Sequence, residues 1–566
     1  MTRPAKATHS RPAAEKTASG STWPTQLLPI LQAALIVALV IFIYWPAING
    51  GFVLDDEGLL TEYPIFRVPD GLYRIWFTTD APVYWPLTYT GSWVEWHLFE
   101  KHTTGYHIVN LTLHIAASLL LWRILRKLKI PGAYLAALLF AVHPVNVQSV
   151  AWIIQLKNIL AMVWFLLAIW FYFKSEDRFA AAGTELSHAS RLLTPNSRRL
   201  IPDLWYCLSL PAFLFALLSK GSTATLPAIL LVIIWWQRGI TKRDVARLIP
   251  FFLLAAAFVV VNIWFQAHAN IEVIRHASPR QRILGAGAVI WFYLYKALAP
   301  FDLAIVYPPW HIDPANPLWW LPLIAAVAVT IALWRARQSR LGHPLLFAWA
   351  YFSIALIPVM GLTDVGFMRF SLVSDHYQHI AIIGVVTLVA ATVCTLRNRV
   401  PTALTDAIAV LAALAVAGLA ALAHDQAGLY HDAITYYKAA LEKNPGSWLL
   451  HGNLGDAYVL SEEYKKAIPE LREALRINPD CSDAHQYLGK ALARTGHSEE
   501  AIAEFREANE LRPNNLPASG DLAGYLLSLG RKAEAIAEAQ RAIDVARSRG
   551  DKDSVEQIEK WISVHR

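Results

Sequence analysis

The stretch Gly51-Phe52-Val53-Leu54-Asp55-Asp56-Glu57 follows directly on an apolar run from Leu27 to Ile48. A spanning helix takes ~20 apolar residues, so three adjacent carboxylates stand where such a helix emerges into water. The segment after them, to residue 104, is the longest upstream of residue 424 that lacks a further apolar run. No small-residue cleavage site follows the first run, which therefore reads as a retained span and not a signal peptide.

Outward from this stretch, apolar runs recur at 105–123, 132–150, 156–173, 204–219, 222–236, 247–266, 283–299, 317–334, 344–360, 379–396 and 402–423. The chain of 566 residues is 55% hydrophobic and 16% charged, with 22 Trp, which excludes an ordinary soluble protein. From residue 424 the composition turns charged and Ala-rich. The expected organisation is all-α: a disordered cytoplasmic tail at 1–24, a membrane domain at 25–423 with an external loop at 50–104, and a soluble domain at 424–566. In such a chain the net charge of +7 reports orientation, not nucleic-acid binding. The three cysteines form neither a metal-site spacing nor a disulfide framework.

Lys and Arg placement sets the orientation. Arg3, Lys6, Arg11 and Lys16 put the tail in the cytoplasm and loop 50–104 outside. Loop 300–316 holds Asp302 and Asp313 and no Lys or Arg, whereas 335–340 is strongly basic. Both fit if 283–299 is a re-entrant or interfacial segment. That leaves about 11 crossings. It also gathers the acidic loop, the turn at His143, loops 300–316 and 361–378, and the soluble domain on one outer face.

Pro445, Pro479 and Pro513 share a 34-residue spacing, as do Leu454, Leu488 and Leu522, and Ala467, Ala501 and Ala535. Small residues at fixed packing positions with this period mark tetratricopeptide (TPR) hairpins. Ala433, Tyr437, Ala440 and Pro445 match the second half of an earlier repeat, and Asp553 to Val564 reads as a cap. Such arrays bind a protein partner on a concave face.

A carboxylate can act as a general base or hold a divalent cation beside a phosphate leaving group; three carboxylates in a row can also be a solvated helix cap. Other polar groups interrupt the apolar runs. Gly105-Tyr106-His107-Ile108-Val109-Asn110 starts one, and His107 and His114 share a helix face. Others are Val142-His143-Pro144-Val145-Asn146, Lys157-Asn158, Ser219-Lys220-Gly221 and Ser374-Asp375-His376-Tyr377-Gln378-His379. Polar groups in spans are costly and serve either function or helix–helix bonding. Trp310, His311 and Asp313 could stack on a sugar or belong to an interfacial belt.

In these motifs and their order, with Tyr84-Trp85-Pro86-Leu87, the chain resembles the TPR-containing membrane O-mannosyltransferases and their bacterial relatives, of the GT-C class of glycosyltransferases. The resemblance implies a GT-C-like helical bundle and an inverting transfer from a polyprenyl-phosphate sugar to a protein hydroxyl or envelope glycan. Asp55 matches the first acid of the family's pair and is the leading base. Asp56 matches the second, as partner or metal ligand for a divalent cation (Mg or Mn). Glu57, His107, Asn110, His143 and Asp375 are expected to line the site. The animal enzymes have Arg-Pro-Leu where this chain has Trp85-Pro86-Leu87, and Glu-Arg-Tyr-Leu-Tyr where it has Asp375 to His379. The donor phosphate would then fall to Arg369, His376 (when protonated), Tyr377, Lys157 and Lys220. The implied location is a bacterial inner membrane with loop 50–104 and the TPR domain in the periplasm. Two other readings stay open: an O-antigen-ligase-like transferase, and a membrane-anchored TPR scaffold without enzymatic activity.

Overall fold

The computed structural model describes residues 27–61, 63–189, 203–268, 275–304, 306–513, 515–548 and 552–565; the tail expected at 1–24 lies outside them. The described residues are helical, with no strand among them. Helix α1 (Leu27–Ile48) leads into the acidic loop, which is itself folded: a π turn at Glu57–Thr61, a 3-10 turn at Pro64–Phe66, then α2 (Gly71–Phe77) and α3 (Pro86–Phe99). Leu60, Ile65, Phe66, Ile75 and Tyr89 give this loop a core of its own, closed by Tyr106 and Phe265 from flanking helices. Tyr73, Phe77 and Leu98 stay exposed on its other side, an arrangement suited to a helix pair lying on a membrane surface.

The bundle continues as α4 (Thr103–Lys127), α5 (Ala133–Val142), α6 (Val147–Ala151), α7 (Leu156–Ala189), α8 (Leu204–Ser219), α9 (Leu226–Arg238) and α10 (Lys242–His268). It closes with α11 (Pro279–Leu298), α12 (Leu321–Arg335), α13 (Gly342–Leu356), α14 (Ile382–Arg397) and α15 (Thr402–Gly428). Against the 11 crossings expected, 7 helices among the described residues are long and apolar enough to span, or 8 if one bent pair counts as a span. Helices α8 and α14 are shorter apolar helices. The run at 283–299 forms α11, opened by a capping box between Ser278 and Gln281, and is not among the 7.

The bent pair lies at 132–150, which sequence periodicity reads as one run. Pro144 has no N–H to donate and disfavours helical geometry at the residue before it. His143 accordingly adopts φ −71°, ψ 127°, and the axis bends by 52°. Unwound backbone at membrane depth must be satisfied by protein. Here the Asn146 side-chain amide donates to the Phe140 carbonyl (2.7 Å), and the His143 ring bonds the Val145 amide and the Ala297 carbonyl.

Helix α15 runs beside α1, with His424 stacked on Phe42 at 4.6 Å and its Nδ1–H donating to the Phe42 carbonyl. A 3-10 elbow, Leu429–His431, turns the chain into α16 (Ala433–Lys443) and then α17 (Trp448–Leu460) with α18 (Tyr464–Ile477). The pairs α19 (Ser482–Thr495) with α20 (Ser498–Leu511) and α21 (Leu516–Ser528) with α22 (Lys532–Ser548) follow, and α23 (Lys552–His565) caps the array. The periodic small residues act as expected. Ala467, Ala501 and Ala535 are fully buried, and a Cβ on Gly489 would meet Phe505 at 2.8 Å. One apolar cluster runs from the bundle through Tyr430, Tyr436 and Tyr437 into the repeats.

Candidate active site

The acidic stretch turns back on itself after Val53. Leu54 sits at φ +55°, a left-handed conformation that costs a leucine energy and needs support from its surroundings. This turn sends the two aspartates in different directions. Asp56 points inward and is fully buried. One of its oxygens accepts the Val53 amide (3.1 Å) and the other accepts the Ile154 amide (2.8 Å). It thereby ties the loop to the 3-10 turn, Ile153–Gln155, that precedes α7. Asp55 remains accessible to solvent. Surrounding protein raises its proton affinity, and Lys157 opposes that shift. Burial pushes Asp56 up to about 8, partly offset by its two amide donors. Glu57 begins the π turn.

Asp56, the residue expected to hold a cation, is committed to the backbone in this geometry. Both of its oxygens hold backbone amides, and among the described residues no group of three or more His, Cys, Asp or Glu could hold an ion. The positive charge near the acids is instead Lys157, whose ammonium lies over Trp85 (5.7 Å) and Trp152 (5.9 Å). Trp85 comes from the acidic loop, so here the loop contributes a ring face to the cation. Lys220 is buried, donates to Asn158 Oδ1 and lies over the Tyr377 ring at 5.9 Å. Asn158 in turn donates to Gln155 (2.6 Å).

The 374–379 segment closes this group from the other side. The His376 amide donates to Gln148 Oε1 (2.9 Å), and its ring Nδ1 is 2.9 Å from Ser374 Oγ. Burial, then Lys220 and Lys157, hold its imidazole well below the ordinary histidine range. His376 is therefore neutral near pH 7 and cannot supply the positive charge expected of it; it can still donate one N–H. Asp375 is buried, accepts from the Tyr307 hydroxyl (2.8 Å), and is pushed up to about 7 by burial. Tyr377 is buried under Lys220. Arg369 is exposed at the end of the 3-10 turn Gly366–Arg369, whose Phe367 packs on the rings of His376 (5.7 Å) and Tyr377 (6.3 Å).

Three expected site-lining residues prove to be supports beneath the site. Asn110 donates toward the carbonyls of Val150, Trp152 and Ile153 (3.3–3.4 Å), so its amide satisfies the backbone between α6 and α7. His107 lies against the Gly50 backbone. His143 is used up at the break before α6. Trp310 packs on Phe292 (5.6 Å) and Trp319 (6.4 Å), as a structural residue would. Conversely, Gln148, Tyr307 and Tyr437 belong to the site without having been singled out for it. Gln148 stands two residues beyond the His143–Asn146 motif. Tyr307 carries no local signal and Tyr437 only that of a repeat position, because chain folding alone brings them to the site.

Residues 419–480, 460–515 and 488–551 match the family model described as tetratricopeptide repeat. Outside structures, a stretch of 164 residues is 29% identical to Protein O-mannosyl-transferase F38B6.6 of Caenorhabditis elegans, covering 26% of this chain and 24% of the relative. The chain is similar to the transmembrane-and-TPR protein O-mannosyl-transferases. Protein O-mannosyl-transferase TMTC3 of Mus musculus is 29% identical over 26% of this chain and 17% of its own length. TMTC4 of Homo sapiens is 28% identical over 30% and 26% respectively. The match thus spans about a quarter or less of each of these relatives. Among solved structures, MamA is 21% identical over 22% of this chain and 70% of its own, with a TM-score of 0.20. YrrB, described as a TPR protein with an unusual peptide-binding site, is 20% identical over 24% and 76%, with a TM-score of 0.18.

Proposed function

We propose that this chain is an inverting membrane glycosyltransferase that moves a sugar, as its relatives' names suggest a mannose, from a polyprenyl phosphate to a hydroxyl. The observation that carries the reading is one accessible carboxylate, Asp55, set beside Lys157 and next to the buried group Lys220–Asn158–His376. The acceptor oxygen attacks the anomeric carbon as its proton passes to Asp55. The bond from that carbon to the phosphate oxygen breaks, and the lipid phosphate leaves with the electron pair. Lys157 and Lys220 balance its charge, which is worth most in a desolvated setting. The acceptor is a protein or an envelope glycan held by the TPR array. The expected setting is a bacterial inner membrane with the acidic loop and the repeats on the outer face.

The test is incubation of purified protein with radiolabelled polyprenyl-phosphate sugars and envelope extract, wild type beside Asp55→Asn. Transfer by wild type that Asp55→Asn reduces by about 10²-fold or more supports the assignment. Equal transfer by both, or none from any donor, overturns it, the latter in favour of a scaffold.

A further inference from the structure

The first TPR half-repeat does more than begin the array. Three outer loops carry the site, and each is bonded to or packed on the same short stretch of the soluble domain, residues 430–448. The acidic loop is held at its entry by the Gly51 amide, which donates to the His431 carbonyl (2.9 Å). Further along, the phenol of Tyr437 faces the Leu54 amide and the Asp55 carboxyl. Tyr437 is 4% exposed, and Leu54 is the residue held at φ +55°. A strained turn that aims Asp55 and Asp56 apart thus rests on a side chain of the repeat domain.

The second loop is held by the turn after α16. Lys443 Nζ donates to the Leu303 carbonyl (2.7 Å), and the buried Asn444 amide donates to the Val306 carbonyl (3.1 Å). The residue after Val306 is Tyr307, whose hydroxyl donates to Asp375. The third loop is held by Trp448, the first residue of α17, whose ring packs on Phe370 at 5.7 Å. Phe370 leads into Ser374, Asp375 and His376.

We infer that residues 430–448 form a wall of the active centre, with Tyr437 and Asn444 as positioning residues that set Asp55 and the Tyr307–Asp375 pair relative to one another. The inference deepens the transferase reading and rests on it for what is positioned. A TPR array that only captured acceptor would need no more than a tether; this one is hydrogen-bonded to two of the loops that do chemistry and packed on the third. Load on the concave face therefore reaches Asp55 through one helix, α16. A misplacement of ~1 Å at a reacting group can cost ~10²-fold in rate, so a small rotation of that helix is enough to gate turnover.

The experiment uses the full-length protein in nanodiscs and has two arms. In the first, hydrogen–deuterium exchange is followed at 51–57, 300–307 and 370–376, with α4 as internal reference. Asn444→Ala removes one buried bond and is expected to raise exchange in 300–307 and 370–376 roughly tenfold. Tyr437→Phe is expected to raise it in 51–57, with α4 unchanged in both. Unchanged exchange in all three segments overturns the inference. If Asn444→Ala loosens α4 as well, it has unfolded the domain, and Tyr437→Phe, which removes a single hydroxyl, decides. In the second arm, transfer from polyprenyl-phosphate mannose is measured. Tyr437→Phe is expected to lower kcat about tenfold or more with the donor KM unchanged. If Asp55→Asn abolishes transfer but Tyr437→Phe keeps wild-type kcat, the transferase reading stands and the inference falls. If no donor is used by wild type, the transferase reading falls and the exchange arm alone judges the wall.

Discussion

Gly50→Ala and Gly51→Ala form a matched pair of adjacent substitutions with opposite expected outcomes. A Cβ built on Gly50 falls hard against the Tyr430 carbonyl oxygen, 3.0 Å from the Ala47 carbonyl oxygen and 3.2 Å from His431 Cα. All three are backbone atoms, so no rotamer change relieves the clash. A Cβ on Gly51 meets nothing within 4 Å, and alanine keeps the amide that bonds His431. Neither glycine is at positive φ, so the contrast is one of space alone. Relieving the Gly50 contact requires the 3-10 elbow and the loop entry to separate by about 1 Å, at the ~1–3 kcal/mol typical of overpacking. Five residues further on stands Asp55. Expected for Gly50→Ala is a lowered thermal midpoint in nanodiscs and sugar transfer reduced by about 10²-fold, with Gly51→Ala close to wild type in both. Equal effects from the two variants, or a harmless Gly50→Ala, would refute the claim that the elbow sets the acidic loop.

Other expectations follow from the same geometry. Asp55 must be ionised to accept a proton, and protein around it raises its proton affinity. Transfer should therefore rise with pH through a midpoint above the usual carboxylate range of ~4, and a pH–rate profile with a midpoint near 4 would contradict this. Lys157→Met and Lys220→Met should each raise the donor KM by roughly 10–100-fold, the worth of a charge-assisted bond to phosphate; unchanged donor KM in both would remove them from the phosphate site. In the array, both ring nitrogens of His485 face acceptors, Glu504 at 2.6 Å and the Pro479 carbonyl at 2.9 Å. His451 repeats the arrangement with Glu470 and Pro445. Burial alone would lower the folded-state pKa of His485, but hydrogen bonds that its ring donates to the Glu504 carboxylate and the Pro479 carbonyl, with the charge of Glu504 and Glu507, outweigh it and raise the pKa. The folded state thus binds this proton more tightly than the unfolded chain. Its stabilisation is fully present below about pH 6.5 and is lost as pH rises through the folded-state value. His485→Gln should flatten that pH dependence in thermal melts, and an unchanged slope would count against it.

Much of this protein is written in local patterns. Apolar runs mark spans because a bilayer requires a minimum length, and a 34-residue period marks the repeats because small residues must recur wherever two helices touch. The carboxylates after Ile48 and the motif order pointed to Asp55, Asp56, Lys157, Lys220 and residues 375–377 before any fold was in view. The roles within that set were not legible. Asp55 and Asp56 are adjacent and chemically alike; only the turn at Leu54 sends one to solvent and the other onto the Val53 and Ile154 amides. His376 looks like a phosphate cation in sequence, but its enclosure beside two lysines makes it neutral. Asn110 and His143 look like site residues and are consumed by unwound backbone, Asn110 between α6 and α7 and His143 at the break that Pro144 creates. Tyr307 had no local sign at all, and Tyr437 showed only as a position of the repeat. Periodicity and motifs report short-range constraints, whereas burial, charge state and the partners of a side chain depend on segments far apart in the chain. What the amino-acid sequence determined alone was that three acids emerge from a membrane span and that a TPR array follows. That the array's first helix stands against those acids was decided by tertiary packing, through the elbow that joins α15 to α16.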